Sequence, residues 1–354
     1  MILPNSLIMS LLFLGGGALL WSIWIVTFRS AIAEPEKGPR WRFEYYCFDF
    51  ALGAVLAGLA AALTLGTLGW DGFAFRDELA LSGKRQELFA ILAGMTFTMG
   101  NMLMLGGASV SGVLLSVPIA AGLSFAVGSL LMNLVNSGSN VLLLSLGLLL
   151  TIIAAVFGFL AFYEVMSARN LALIQSGKAK STRRSISTTG FVLSVLGGLF
   201  MSGFFPLMDL ARVPDVGMGP YTSGFLVAAG ILVGTLMFNM FFMNLPVRGK
   251  PAEFGIFFSA PAGNHLAGAL GGAIWLAGTV GHYVAARSEG AALVLPAWRF
   301  AAFLAPGLVA GILGLFIWNE LNGAEAKTRS FAGLMLALLL FAAGAIVLAA
   351  PGAK

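Results

Sequence analysis

Long apolar runs without a charge constrain this chain more than any other feature. Residues 141–162 read VLLLSLGLLLTIIAAVFGFLAF and contain no ionisable side chain. At about 1.5 Å per residue, a helix of that length crosses a hydrocarbon layer of about 30 Å. Comparable runs recur from one end of the sequence to the other. They leave it 59% hydrophobic and 10% charged, against about 45–50% and about 25% for a soluble domain, more apolar surface than a soluble core could hide. In lipid, only helices and closed barrels satisfy every backbone polar group. Barrel strands would alternate polar and apolar residues over about ten positions, and these runs do not.

The expected fold is therefore an all-α membrane protein. Hydropathy gives ten transmembrane helices, at roughly 6–28, 46–69, 87–106, 108–133, 141–164, 189–211, 221–245, 263–285, 294–319 and 329–350. The first segment, MILPNSLIMSLLFLGGGALLWSIWIV, lacks a basic leading stretch and a clear cleavage site, and reads as a span rather than a signal peptide. The longest loops are 29–45, 70–86 and 165–188, none long enough for a further folded domain. Loops after odd-numbered spans hold 13 of the 20 Lys and Arg residues, and the opposite side with both termini holds 6. That bias puts the first set in the cytoplasm and both termini outside a cytoplasmic (inner) membrane. It also accounts for the net charge of +5 without nucleic acid.

The two halves resemble each other. Span 4 contains SVPIAAGLSFAVGSLLMN and span 9 contains FLAPGLVAGILGLFIWNE, so Pro118 and Pro306 correspond, each ahead of a polar end; LGLLLTIIAAV in span 5 matches LALLLFAAGAIV in span 10. An odd number of spans per copy makes this a 5+5 inverted repeat, a plan common among secondary transporters. The division is residues 1–165, a basic linker 166–188, and residues 189–354.

Several enzyme and pump classes are excluded. There is no GxxxxGK[ST] loop, since Gly177-Lys178 follows Ala172 at the position of the first glycine. There is no HExxH, no GxSxG elbow and no aspartate-rich pair for Mg²⁺ and a diphosphate. Two histidines cannot build a familiar zinc centre, and the single Cys47 excludes an intrachain disulfide. No cofactor or metal is expected, and the chain reads as a non-enzyme whose partners are a small solute, a proton or other coupling ion and the bilayer. A homodimer is compatible with the glycine-rich faces, which serve internal packing equally.

Few ionisable residues fall within spans, and each is a functional candidate because burying a charge in lipid costs about 2.5 kcal/mol or more. RWRFEYYCFDFALG, from Arg40 to Gly53, crowds Arg42, Glu44 and Asp49 into the start of span 2. It reads either as a gate or proton-coupling group, or as an interfacial anchor in which Trp41, Phe43, Tyr45, Tyr46 and Phe48 form a headgroup-level belt. His265 and His282 can exchange protons near neutral pH and stand at the two ends of span 8. Arg299, early in span 9, either meets a substrate at the outer mouth or snorkels. Asn101 and Asn239 bring amides into apolar helices and need a partner, helix or ligand. Trp21, Trp24 and Trp275 offer flat surfaces for a ring. Pro118 and Pro306 free backbone carbonyls and can act as hinges. Asp209 and Glu320, at span ends, are expected to be solvated.

WRFEYYCFDFALG (41–53), GNMLM (100–104), VPIAAGL (117–123), PYT (220–222), FNMFFMNLPVRG (238–249), HLAGALGGAIW (265–275) and FIWNELNGA (316–324) carry a family likeness. In these strings, over nearly its whole length, the chain resembles the bacterial branch of the ureide permease family, close to the glucose/ribose-type porters of the drug/metabolite transporter superfamily. The resemblance implies a ten-helix inverted repeat and proton-coupled or facilitated uptake of a nucleobase, ureide or sugar. It also implies a site near the midplane among spans 1, 3, 4, 6, 8 and 9. Trp41, Arg42, Phe43, Glu44 and Asp49 match the family's aromatic-acidic signature, and Asn101, Pro118, Pro206, Asn239, His265, Trp275, Pro306 and Glu320 match family positions. The chain departs where relatives carry Asn, at Val26, Thr98, Leu276 and His282, and where they carry Gly-Gln, at Phe303-Leu304. The missing amides point to a less polar or differently shaped ligand, and an exporter of apolar or cationic compounds on the same fold is the alternative.

Overall fold

The computed structural model describes residues 1–32, 41–69, 71–135, 140–177, 188–212, 218–247, 249–287, 305–320 and 327–349. Every regular element among them is helical: α1 (Leu7–Ala31), α2 (Phe43–Leu63), α3 (Phe75–Leu81), α4 (Lys84–Ser111), α5 (Val113–Val135), α6 (Val141–Gln175), α7 (Thr189–Met201), α8 (Phe204–Ala211), α9 (Pro220–Asn244), α10 (Phe254–Phe258), α11 (Ala262–Ala285), α12 (Ala305–Ile317) and α13 (Lys327–Ala349). Seven helices are long and apolar enough to cross a membrane, with α7 and α8 forming one span, Thr189–Ala211. They are the first seven of the ten expected. The other three expected spans coincide with α11, which Asn264, His265, Thr279 and His282 make less apolar, and with α12 and α13. The start of expected span 9 lies outside the described residues. Helix α6 runs on to Gln175, so the expected linker begins as helix.

Local chemistry sets the boundaries. Ser6 opens α1, its hydroxyl accepting a hydrogen bond from Met9 N–H at 3.3 Å. Pro220 opens α9 at the first helical position, where a missing N–H costs nothing. Gly112, at φ 98°, ends α4 and turns the chain straight into α5. The α12 segment closes with a π turn over Leu313–Ile317, and Asn319 follows at φ 47°.

Neighbouring helices pack in the order α1–α11–α2–α9–α4–α7–α5, with α8 also against α4 and α6 against both α5 and α13. Large apolar side chains on the outer surfaces are exposed, among them Leu142, Leu134, Ile8 and Leu12, as a lipid-facing surface requires. Inside, rings concentrate: Trp21, Trp24 and Phe28 of α1, Tyr45, Tyr46 and Phe50 of α2, Phe97 of α4, Phe204 of α8 and Trp275 of α11 are all buried. Trp41, Phe43, Tyr45 and Tyr46 are therefore core residues rather than a headgroup belt. The positions that look interfacial by sequence are covered by the connection between α9 and α11.

The approach of α2 to α11 depends on glycine. A Cβ on Gly272 would run into the carbonyl of Phe50, and one on Gly53 into the carbonyl of Ala269. Gly272→Ala should lower the thermal midpoint of the detergent-solubilised protein by several degrees, the result of about 1–3 kcal/mol of overpacking. Gly15→Ala, where a Cβ meets nothing within 4 Å, should not lower it. Equal midpoints in the two variants would contradict the close crossing.

Candidate functional site

Helices from both ends of the sequence line a partly open chamber of about 70 Å³ near the middle of the bundle. Its walls are Trp21 and Trp24 of α1, Phe97, Asn101 and Met104 of α4, Val117, Ala121 and Ser124 of α5, Met201, Phe204 and Phe205 from the α7–α8 segment, Trp275 of α11 and Pro306 of α12. No described side chain in this lining is ionisable. The rings form a column. His282 stacks on Trp21 with centroids 4.0 Å apart, Trp21 on Trp275 at 6.3 Å, and Trp275 on Phe97 at 3.9 Å. Trp21 Nε1–H donates to the carbonyl of Trp275 at 3.1 Å and to Thr279 Oγ1 at 3.0 Å, which fixes its ring against α11.

Asn101 is 3% exposed and its Oδ1 has no hydrogen-bond partner among the described residues. A buried polar group left unpaired costs about 1–3 kcal/mol. The volume is about half that of a cavity known to hold benzene, about 150 Å³, so in this conformation the chamber is too small for a ring. A larger groove of about 380 Å³, between Leu12, Phe13 and Gly16 of α1, Ala57 and Ala61 of α2, and Leu276 and Val280 of α11, is apolar throughout its lining except for Tyr221. Its exposed Leu12 and Phe13 mark it as facing the acyl chains.

Trp21, Trp24, Asn101, Trp275 and Pro306 thus meet in one place. Pro118 lies inside α5 one residue from the chamber wall, and a Cβ on Gly307 would touch its Cα at 3.2 Å, so the two proline segments cross here. Asn239 is elsewhere: its Nδ2–H donates to the carbonyl of Glu44 at 2.7 Å and ties α9 to the start of α2. His282 Nδ1 lies 2.8 Å from the carbonyl of Gly278 and the ring serves the column. Arg299 lies outside the described residues. Sequence reasoning missed Phe97, Phe204 and Phe205. A signal for Phe97 was present, because GMTFTMG (94–100) and GAIWLAG (272–278) share a G-x-x-aromatic-x-x-G pattern.

A second cluster sits at the end of α2 that carries Arg42. Arg42 makes a two-pronged pair with Glu44, Nη2 to Oε1 at 2.5 Å and Nε to Oε2 at 3.2 Å, and its Nη1 donates to the carbonyl of Lys250 at 2.6 Å. Glu44 is 1% exposed. Tyr45 O–H donates to the carbonyl of Glu253 at 2.9 Å and accepts from its N–H at 3.0 Å. Asp49 does not join Glu44 and Arg42. Both its carboxylate oxygens lie 3.0 Å from Nδ1 of His265, whose Nε2 is 3.1 Å from the carbonyl of Phe257.

Two further carboxylates close helix ends. Glu78 of α3, at the opposite end of the bundle, accepts from Gly219 N–H at 2.6 Å and from the Thr222 hydroxyl, capping α9. Glu320 is not simply solvated. It accepts from the N–H groups of Val113 and Leu114 at 3.2 and 3.0 Å and caps α5. Arg42→Ala should destabilise the protein by about 3–5 kcal/mol, because it strands Glu44 in the interior, and adding Glu44→Gln should recover part of that loss. A double-mutant cycle with no coupling energy would show the pair to be incidental.

No family model matches the chain, and no curated protein matches it. Six solved chains do match. One, described only as "Crystal structure of protein", covers 96% of this chain and 95% of its own at 15% identity, with a TM-score of 0.49. A likeness that distant says nothing about chemistry.

Proposed function

We propose that this chain is a ten-span secondary transporter of the ureide permease type within the drug/metabolite transporter superfamily. It moves a small neutral metabolite across the cytoplasmic membrane by alternating access, with a proton as coupling ion. The observation that carries the reading is the aromatic chamber, built from both halves of the chain around an amide whose oxygen has no partner among the described residues.

The packing pattern supports a 5+5 inverted repeat. If α1, α2, α4, α5 and α6 correspond to α7–α8, α9, α11, α12 and α13, a pseudo-twofold axis demands that helix contacts come in related pairs. The contact of α1 with α11 then requires one of α7 with α4, and that of α2 with α11 requires one of α9 with α4; both occur. The contacts α2–α9 and α6–α13 map onto themselves. A shift of 178 residues carries Gly94 onto Gly272, Phe97 onto Trp275 and Gly100 onto Gly278. Gly278 crosses α1 at Gly17, and Gly100 crosses α7 at Gly197, each pair in mutual backbone contact. On this reading the Phe97–Trp275 stack spans the pseudo-axis, at the midplane where inverted-repeat transporters bind substrate.

The lining supports a narrower solute class. A net charge would be desolvated there with no counter-ion among the described residues. Stacking walls and an amide with two donor hydrogens and an acceptor suit a flat, amide-bearing molecule, so the nucleobase and ureide end of the range is favoured over sugars. With both helix-end clusters made, the structure fits an occluded state, and a ring enters only when one end opens.

Uptake into proteoliposomes, with and without an inward pH gradient, tests this with uracil, xanthine, allantoin, glucose, rhamnose and a cationic dye. The expected result is gradient-stimulated entry of a base or ureide, reduced about 10- to 100-fold by Asn101→Leu, since about 1–3 kcal/mol of pairing is lost. Movement of the dye alone would favour the exporter. The absence of any flux, or an Asn101→Leu variant as active as the parent, would overturn the proposal.

A further inference from the structure

We propose that Asp49 and His265 together form a one-proton binding site, and that the bound proton holds α2 against α10 and α11 so that this end of the bundle opens only when it leaves. This deepens the transporter reading and rests on it for its functional meaning, but the proton site can be tested separately.

The argument is a count of hydrogens. A carbonyl oxygen has none to give, so the 3.1 Å contact between His265 Nε2 and the Phe257 carbonyl requires the hydrogen on Nε2. A neutral imidazole in that tautomer presents a lone pair at Nδ1. Opposite Nδ1, at 3.0 Å, stand both oxygens of Asp49. Lone pair against carboxylate is repulsive, so the contact holds only with one more proton, carried by Nδ1 or by the carboxyl group. Either placement gives the pair one proton that it loses as a unit.

Among the described residues no other cation substitutes for that proton. On α2, Glu44 is committed to Arg42, and Cys47 and Tyr46 are buried, the Tyr46 hydroxyl bonded to Thr27 Oγ1 at 2.7 Å. Arg29, in the last turn of α1, makes no ion pair with either residue. Glu253 is engaged through its backbone by Tyr45, and Lys250 through its carbonyl by Arg42. From α9 the group facing this region is the neutral amide of Asn239. The ionisable groups of α4 (Lys84, Arg85 and Glu87), Tyr221 of α9 and His282 of α11 belong to the opposite end of their helices.

The pair is placed to act as a latch. A Cβ on Gly268 would lie 2.5 Å from Asp49 Cβ, so the site exists because α11 has no side chain there. Trp41 and Phe257 meet the His265 ring edge-on at 5.2 and 4.8 Å. The Arg42–Lys250 and Tyr45–Glu253 bonds clamp the same connection to α2, but neither contains the proton shared by Asp49 and His265. The His265 side chain is 30% exposed and that of Asp49 8%, so the proton exchanges through His265 with solution at this end rather than with the chamber. Two rods lead from the latch to the chamber: ten residues of α11, about 15 Å, to Trp275, and the chain Tyr46–Thr27, with Thr27 O–H donating to the Trp24 carbonyl at 2.7 Å.

The test uses histidine-¹⁵N-labelled full-length protein in nanodiscs, with the two histidine signals assigned through His282→Gln. As pH rises, Nδ1 of His265 should lose a proton while Nε2 keeps its own. Hydrogen-exchange protection of residues 250–262, corrected for intrinsic base catalysis, should fall in step. In Asp49→Asn and in the conservative His265→Gln, that protection should no longer follow pH, and in proteoliposomes the ratio of uptake with and without a gradient should fall to about one while solute exchange persists. Loss of the proton from Nε2, or protection that ignores the protonation of His265, would overturn the proton site. Coupled titration and protection in a protein that moves no solute would leave the proton site standing and remove the transporter reading.

Discussion

The close crossing of α2 and α11 brings together the two helices that carry Asp49 and His265. Gly53, Gly268 and Gly272 allow the two backbones to meet, and without that approach Asp49 could not reach His265 across 216 positions of sequence. Lipid supplies no hydrophobic force between helices, because acyl chains are as apolar as leucine. Association rests instead on dispersion between closely fitted surfaces and on a few polar bonds. Small residues at the crossings are therefore a condition for the site as well as for the fold.

A second constraint is that a buried charge or helix end must find its partner inside the protein. Glu44 takes a guanidinium, Asp49 an imidazole, and Glu78 and Glu320 the free N–H groups of α9 and α5. All four solutions lie at ends of helices and none in the chamber. The chamber stays apolar and aromatic, with Asn101 as its unpaired group, and can discriminate by shape, stacking and one amide. Charge thus sits at the helix ends, and the described chamber lining is neutral.

Much of this was legible in the residues. The apolar runs declared a helical membrane protein, and seven helices of the right length and composition are present. The carboxylates of 41–53 stood out because charge is scarce, and Trp21, Trp24, Asn101 and Trp275 stood out as rings or an amide in apolar helices; these four line one chamber. The belt reading of Trp41, Tyr45 and Tyr46 failed because hydropathy registers where a span ends but not what covers that end, and here the connection through α10 covers it. Phe97 escaped notice because phenylalanine is common in such helices, and only its alignment with Trp275 distinguishes it.

The sequence by itself determined the class of molecule, its approximate spans and the short roster of polar groups that had to find partners, because apolar length and the cost of buried charge are local properties. Only the tertiary structure decided the pairings: Arg42 with Glu44 and not Asp49, Asp49 with His265, Asn239 with a backbone carbonyl, Glu320 with the start of α5. Those choices depend on which helix faces meet and at what depth. Glycines at the crossings and the angle of each backbone set that geometry, and neither can be read from the order of residues along one chain.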